Sequence, residues 1–344
     1  MQLSFARPIL IIQTAFIGDT ILASSFAQDV HRAFPDAPLH FLLRKGNEAV
    51  IRGLPFVAHT HVWDKKRGKT RSLWRLIREL RKYEFQFVFN LHRHFNSGLV
   101  TALMRAGRKV GFRQNPLSWS YDHRIDHRIP HEGDGGAWHE VQRNYQLLQA
   151  VRPDLVVPMD LTGHRPVLPL TDDHRRTVAP HKTAPFVVLA PASVWFTKQW
   201  EEVSYRELVA QLAPRFRVLL IGGPDDRALC ERVKGTSDAV NLAGQLSLLE
   251  SAALMEGARR VFVNDSGPLH LASAVDAPTT ALFCATIPQF GYGPLSTDAI
   301  VLETPEPLSC RPCGLHGGTT CPAGHFKCAK NISVSMAVAT LETP

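Results

Sequence analysis

Apolar residues along this chain fall into short continuous runs, each bounded by polar or glycine-rich turns and followed by a segment of helical period. Ile9–Ile12, Leu39–Leu43 and Phe85–Asn90 are such runs in the first half; Phe186–Ala190, Arg217–Ile221, Arg260–Val263 and Thr279–Phe283 are their counterparts in the second. Between them, Asp19 to Phe34, Ser72–Lys82 and Ala137–Val151 read as helices. Ser204-Tyr205-Arg206-Glu207 and Ser247-Leu248-Leu249-Glu250 have the capping-box spacing that opens a helix, and a further helix follows from Pro268. Strands that alternate with helices imply parallel pairing through crossover connections. Pro153, Pro158, Pro166, Pro169, Pro180 and Pro185 interrupt the pattern between the halves. The expectation is an α/β chain of two Rossmann-like, doubly wound domains facing each other across a cleft: residues 1–160, a Pro-rich linker 161–184, and residues 185–344. Ligands would sit at the carboxyl ends of the strands.

Length agrees, since 344 residues are long for a single core. No stretch stays apolar for the roughly 18–20 residues a membrane-spanning helix needs. Pro8-Ile9-Leu10-Ile11-Ile12 after Arg7 resembles a signal-peptide core, but Gln13 and Asp19 follow closely, so a first core strand and a cytoplasmic protein are expected. The net charge of +8 is concentrated: residues 1–150 hold 22 Lys and Arg against 12 Asp and Glu, and 10 of the 16 histidines. That half should meet something anionic: nucleic acid, a membrane surface or an acidic substrate. Lys65-Lys66-Arg67-Gly68-Lys69 alone reads as a solvated basic face. No helix-turn-helix, aromatic RNA-binding or zinc-finger spacing is present, and no nucleic-acid partner is expected.

Three loops would face the cleft. Asn264-Asp265-Ser266-Gly267-Pro268 ends one strand and opens a helix, where free backbone N–H groups suit a diphosphate. An ordinary strand–helix turn with an Asp/Ser cap has the same appearance. His270, in the first turns of that helix, fits a binding or structural role rather than acid–base work. Pro191 to Trp200 carries Ser193, Thr197 and Lys198, which can neutralise phosphate oxygens; Trp195 and Trp200 would otherwise be exposed without purpose. Thr14 to Thr20 has one glycine, Gly18, allowing a tight turn or close approach, so it is not the three-glycine dinucleotide fingerprint. Asp19 there is either a helix cap or a general base.

Taken together and in this order, Gly18-Asp19, Thr197-Lys198-Gln199-Trp200, Asp265 to His270 and Phe290-Gly291-Tyr292-Gly293-Pro294 resemble the heptosyltransferases of glycosyltransferase family 9. The resemblance runs from about Ile9 to Ile332 and implies a GT-B fold. It further implies inverting transfer of heptose from ADP-L-glycero-D-manno-heptose to the inner core of lipopolysaccharide, on lipid A–Kdo or an already heptosylated acceptor. Asp19 would deprotonate the acceptor hydroxyl and Lys198 would hold the diphosphate. Ser193, Thr197, Leu246, Asp265, Ser266, Gly267, Leu269 and His270 would form the donor site, Leu246 beside adenine. Gly18, His92 and Arg93 would lie toward the acceptor. The ribose contact expected after Gly222-Gly223 finds only Asp225 and Asp226. No cofactor is required, and the enzyme would work in the cytoplasm, peripheral to the inner membrane.

Other sugar-nucleotide transferases, an epimerase of the same fold, or a noncatalytic nucleotide-sugar or polyanion binder share much of this pattern. Cys230 and Cys284 read as buried small residues. Cys310, Cys313, Cys321 and Cys328 are spaced for a four-thiolate zinc or iron–sulfur site, two disulfides, or reduced structural thiols. A cytosolic location argues against stable disulfides.

Overall fold

A computed structural model of the chain describes residues 6–65, 68–129 and 138–342. Lys66, Arg67 and Ala137 of the segments read above lie outside the described residues. The chain divides into two compact units, with the boundary between Pro169 and Leu170.

The first unit holds a six-stranded sheet of β1 (Ile9–Gln13), β2 (Leu39–Arg44), β3 (Val57–Trp63), β4 (Phe85–Asn90), β5 (Ala106–Phe112) and β6 (His123–Ile125). Its spatial order is β3-β2-β1-β4-β5-β6, and every pair is parallel. The second unit holds β7 (Phe186–Ala190), β8 (Arg217–Leu220), β9 (Val240–Asn241), β10 (Val261–Asn264), β11 (Thr279–Phe283) and β12 (Ala299–Glu303). Its order is β12-β11-β10-β7-β8-β9, again all parallel. Both sheets have the Rossmann order, which reverses direction at a switch point: between β1 and β4 in one, between β7 and β10 in the other. The continuous apolar runs are explained by burial on both faces: β1, β7 and β11 are buried at every position.

The helices are α1 (Ile17–Ala33), α2 (Lys69–Leu80), α3 (Phe95–Leu103) and α4 (Glu140–Gln149), then α5 (Asp172–Val178), α6 (Glu202–Leu212), α7 (Arg227–Lys234), α8 (Leu248–Met255), α9 (Gly267–Ala274), α10 (Lys327–Lys330) and α11 (Val334–Ala339). In the first unit, Leu73, Leu76, Ile77 and Leu80 of α2 pack with Leu10, Leu42 and Val88 of the sheet. In the second, α6, α7 and the Cys-rich C-terminal segment share one core around Trp200, Tyr205 and Phe262.

Several expectations change. The capping box at Ser247 forms: its hydroxyl accepts from Glu250 N–H at 3.2 Å, and the Glu250 carboxylate accepts from Ser247 N–H at 2.7 Å. The one at Ser204 does not, because α6 starts at Glu202 and Ser204 lies inside its first turn. Pro268 is the second helical residue rather than the first. Residues 161–184 are folded rather than a free connector. His164 Nδ1 stands 2.9 Å from Asp29 of α1, Arg32 donates to Gly163 O at 2.9 Å, and Val167 N–H donates to Ser24 Oγ at 2.8 Å. α5 then docks on the second unit, where Arg175 pairs with Glu256 at 2.8 Å. The prolines removed the periodicity without removing the packing.

Candidate active site

In the second unit, the loops after β7 and β10 flank the switch point and bring Lys198 to Asp265. Lys198 is the last residue of a single 3₁₀ turn, Phe196–Lys198, and its Nζ lies 2.7 Å from Asp265 Oδ2. The same carboxylate oxygen accepts a hydrogen bond from Thr286 Oγ1 at 2.7 Å. Thr286 follows β11, the strand beside β10. Its loop is clamped by Arg311, which donates to the carbonyls of Phe283, Cys284 and Thr286 and pairs with Glu303.

Ser266 stands at the N-cap of α9 in extended conformation, and no side chain caps the helix there. Its hydroxyl is 3.4 Å from Asn264 O. Ser266 and Gly267 are half-buried, so the start of α9 reaches the surface beside the Lys198–Asp265 pair. An ammonium has three N–H donors, so one bond to Asp265 leaves capacity for phosphate oxygens. A cation and a helix N-terminus together suit a departing diphosphate.

The other expected donor residues divide. Ser193 and Leu246 are half-buried and lie on loops, Ser193 lending its carbonyl to Gln199 Nε2 at 2.6 Å. Thr197 is buried; its hydroxyl accepts from Gly318 N–H at 2.7 Å and its N–H donates to Gly318 O at 3.0 Å, so it ties the loop to the Cys-rich segment. Leu269 is fully buried and serves the packing of α9. His270 is also buried, with Nδ1 unpaired among the described residues, and burial pushes its pKa down to about 4, so it is neutral at pH 7. Trp200 is not a surface residue flanking the lysine. It is core: its backbone N–H donates to Asn264 Oδ1 at 3.0 Å and its indole N–H to Ile332 O at 3.0 Å. Asp226 accepts from Gly223 N–H at 2.8 Å, closing its own turn.

In the first unit, the loops after β1 and β4 flank the switch point. α1 begins at Ile17, with Phe16 as N-cap, so Asp19 lies in the first turn rather than at the cap. Gly18 is helical and makes no tight turn. The Asp19 carboxyl is raised from 3.8 to about 6: burial is the largest cause, followed by the negative charge of Glu140, while the N–H groups of Phe16 and Asp19 and the Arg93 cation oppose them. A carboxylate with that pKa is ionised at pH 7 yet a stronger base than an exposed aspartate.

Arg93 and His92 follow β4. His92 Nδ1 stands 3.0 Å from Thr14 Oγ1, and burial, with His94, Lys65 and Arg93 nearby, lowers its pKa to about 3, so it is an uncharged hydrogen-bonding group. Lys65 reaches the same loop and donates to Thr14 O at 2.6 Å.

Glu140 gave no signal in the sequence, being far from Asp19 along the chain. α4 brings it in, buried, with His127 Nε2 at 2.9 Å and Arg143 Nε at 2.8 Å. Burial would raise its pKa, but the two partners outweigh that and hold it at about 2. Thr286 and Arg311 were also missed; the strand order β11-β10-β7 is what makes Thr286 a neighbour of Asp265.

All six cysteines are free thiols. Cys230 and Cys284 are fully buried, as read. Cys313 and Cys321 pack against the core that contains Cys328, and Cys310 Sγ stands 3.7 Å from His325 Nε2. Among the described residues, no three His, Cys, Asp or Glu side chains are grouped to hold a metal ion.

Two Rossmann-ordered sheets in one chain, one with a basic carboxylate at its switch point and the other with a cation beside a helix start, fit a glycosyltransferase of the GT-B class. The family model "Glycosyltransferase family 9 (heptosyltransferase)" matches residues 73–315, and the chain belongs to that family. The matched span includes Lys198 and Asp265 and begins after Asp19. Lipopolysaccharide heptosyltransferase 1 of Pseudomonas aeruginosa is 25% identical over 319 residues, covering 89% of this chain and 85% of that protein. The solved ADP-heptose lipopolysaccharide heptosyltransferase II of Escherichia coli superposes with a TM-score of 0.77 at 20% identity, over 97% of each chain. A more distant fold match is TibC of enterotoxigenic Escherichia coli H10407, described as an iron-containing dodecameric glycosyltransferase. It has a TM-score of 0.60 and 16% identity over 98% of this chain and 76% of that one.

Proposed function

We propose that this enzyme transfers heptose, with inversion, from ADP-L-glycero-D-manno-heptose to the inner core of lipopolysaccharide. The observation that carries the reading is the Lys198–Asp265 pair beside the uncapped start of α9, at the β7/β10 switch point. In the reaction, the acceptor hydroxyl oxygen bonds to the anomeric carbon as its proton passes to the Asp19 carboxylate. The bond from that carbon to the diphosphate oxygen breaks, and ADP leaves with the electron pair. Lys198 and the N–H groups of Ser266 and Gly267 take up the charge that develops on the leaving group. Asp265 orients Lys198 and faces the sugar, and Leu246 lies toward adenine. Arg93 and uncharged His92 sit toward the anionic acceptor.

The experiment is ADP release from ADP-heptose with a lipid A–Kdo acceptor, run beside Asp19→Asn. Release that needs both acceptor and Asp19 supports the reading. Release unchanged in Asp19→Asn makes that residue structural. A folded protein that binds ADP but releases none with lipid A–Kdo or a heptosylated core would leave the fold and the phosphate site standing and point to a different acceptor or donor sugar.

On this reading the enzyme works in the cytoplasm against the inner membrane, without a nucleic-acid partner; what supports it is the basic first half, which suits an anionic acceptor. No helix among the described residues is long and apolar enough to cross a membrane. The transfer chemistry above uses no cofactor. Four thiolates suit zinc or iron, and Cys310, Cys313 and Cys321 all lie near enough to Cys328 to help raise its pKa; their spacing is not that of a two-knuckle zinc ribbon, so we assign them as reduced structural groups. Metal analysis of protein purified without chelator checks this: stoichiometric zinc or iron, such as the iron of TibC, would overturn the assignment.

A further inference from the structure

The outer face of α2 takes no part in the site described. Its inner face is fixed, with Leu73, Leu76, Ile77 and Leu80 buried in the core. Its outer face carries Arg71, Arg75 and Arg78, all exposed, with exposed Arg81 and Lys82 directly after the helix. At about 100° per residue, the three helical arginines fall within an arc of about 60°, so like charges stack one turn apart. Trp74 borders this stripe and is 47% exposed. Glu79 and Glu84, the acids in this stretch, are engaged elsewhere, with His61 at 3.0 Å and Arg7 at 2.9 Å. Among the described residues, none of the five cations forms an ion pair.

A rigid cationic ridge edged by an exposed indole matches an anionic bilayer surface: arginines meet headgroup phosphates, and tryptophan settles at the interface.

We propose that the outer face of α2, through Arg71, Arg75, Arg78 and Trp74, docks the enzyme on anionic phospholipid. This deepens the reading of an acceptor held at a membrane, and it rests on that reading for its purpose but not for its test.

The test is flotation of the full chain with vesicles of phosphatidylethanolamine and phosphatidylglycerol, against vesicles of phosphatidylcholine alone, at low and high salt. The wild type should float with the anionic vesicles only, and salt should release it. Arg71→Glu/Arg75→Glu/Arg78→Glu should weaken binding roughly a hundredfold, while an unchanged melting temperature shows that it folds. Lysines at the same three positions should retain binding, and Trp74→Ala should weaken it at low salt. ADP release with a soluble, delipidated acceptor should be the same in the charge-reversed variant, which separates docking from transfer. Wild type that ignores anionic vesicles, or a charge-reversed variant that floats as well as wild type, overturns the proposal. So does a variant that loses affinity for single-stranded oligonucleotide but keeps its vesicle binding.

Discussion

Lys198 and Asp265 meet at 2.7 Å, and Thr286 donates to the same carboxylate oxygen at 2.7 Å. Asp265 therefore aims the ammonium, and Thr286 aims Asp265. Removing one bond from a shared acceptor costs about 1 kcal/mol or more, while stranding a half-buried ammonium costs more. Thr286→Val should weaken ADP-heptose binding several-fold. Asp265→Asn should weaken it by ten- to a hundredfold (roughly 1.4–3 kcal/mol), and Lys198→Ala should lower kcat as well. Calorimetric titration with ADP and steady-state kinetics separate the three. Equal effects of Thr286→Val and Lys198→Ala would contradict this ordering.

Asp19 titrates near pH 6, so activity that depends on its carboxylate should fall as pH drops through about 6. Stability runs the other way. The folded pKa lies above the ordinary value of 3.8, so ionised Asp19 opposes folding above pH 6, and the penalty fades as pH falls from 6 toward 4. Asp19→Asn should thus abolish turnover and raise stability at pH 7–8 by about 1–3 kcal/mol. Melting curves at pH 5 and pH 8 read this directly: the variant's advantage should be present at pH 8 and reduced at pH 5.

Glu140 couples to that titration. Its negative charge helps keep the Asp19 pKa high, and its own carboxylate is held at about 2 by His127 and Arg143. Glu140→Gln should move the acid limb of the activity profile to lower pH. It should also destabilise the fold by about 3–5 kcal/mol, because Arg143 is left buried without its counter-charge. Since the Glu140 pKa is depressed, its contribution to stability is complete above about pH 4.5 and is lost as pH falls toward 2. An unmoved acid limb in a folded Glu140→Gln protein would place Glu140 too far away to act on Asp19.

The strands legible in the sequence are those buried on both faces, because their side chains need no alternation. The edge strand β3, Val-Ala-His-Thr-His-Val-Trp, and β5, with Gly107, Arg108, Lys109 and Gly111, carry no such run and were not anticipated. Gly111 shows why β5 looks unlike a strand: a Cβ there would stand 2.6 Å from the Tyr121 ring, so packing requires a residue of poor strand propensity. At the site, residues inside one loop were legible, as with Lys198, Asp265 and Asp19. Partners delivered by another element were not. Thr286 reaches Asp265 through strand order, and Glu140 reaches Asp19 through the packing of α4 on α1, neither of which local spacing encodes. Thr197 and Trp200 kept their place near the site but changed role, because the Cys-rich segment folds back to bind one and bury the other.

Asn264 holds the second-unit site to its scaffold. At the end of β10, its Oδ1 accepts from Trp200 N–H at 3.0 Å and Tyr205 OH at 3.2 Å, while its Nδ2 donates to Pro191 O at 2.9 Å. It thereby pins both ends of the loop that carries Lys198. All of these groups are buried or nearly so, and an amide missing from such a network leaves several polar atoms without partners. Asn264→Ala should destabilise the protein by about 3 kcal/mol or more and loosen ADP binding without altering the pH at which activity falls, because Asp19 lies in the other unit. Asn264→Asp, which keeps the acceptor oxygens but loses the amide donor to Pro191, should be milder toward Trp200 and Tyr205. Thermal melts with and without ADP distinguish these outcomes. An Asn264→Ala protein as stable as wild type would mean that the loop is held by its other bonds, those of Thr197 with Gly318 and Ala285 among them.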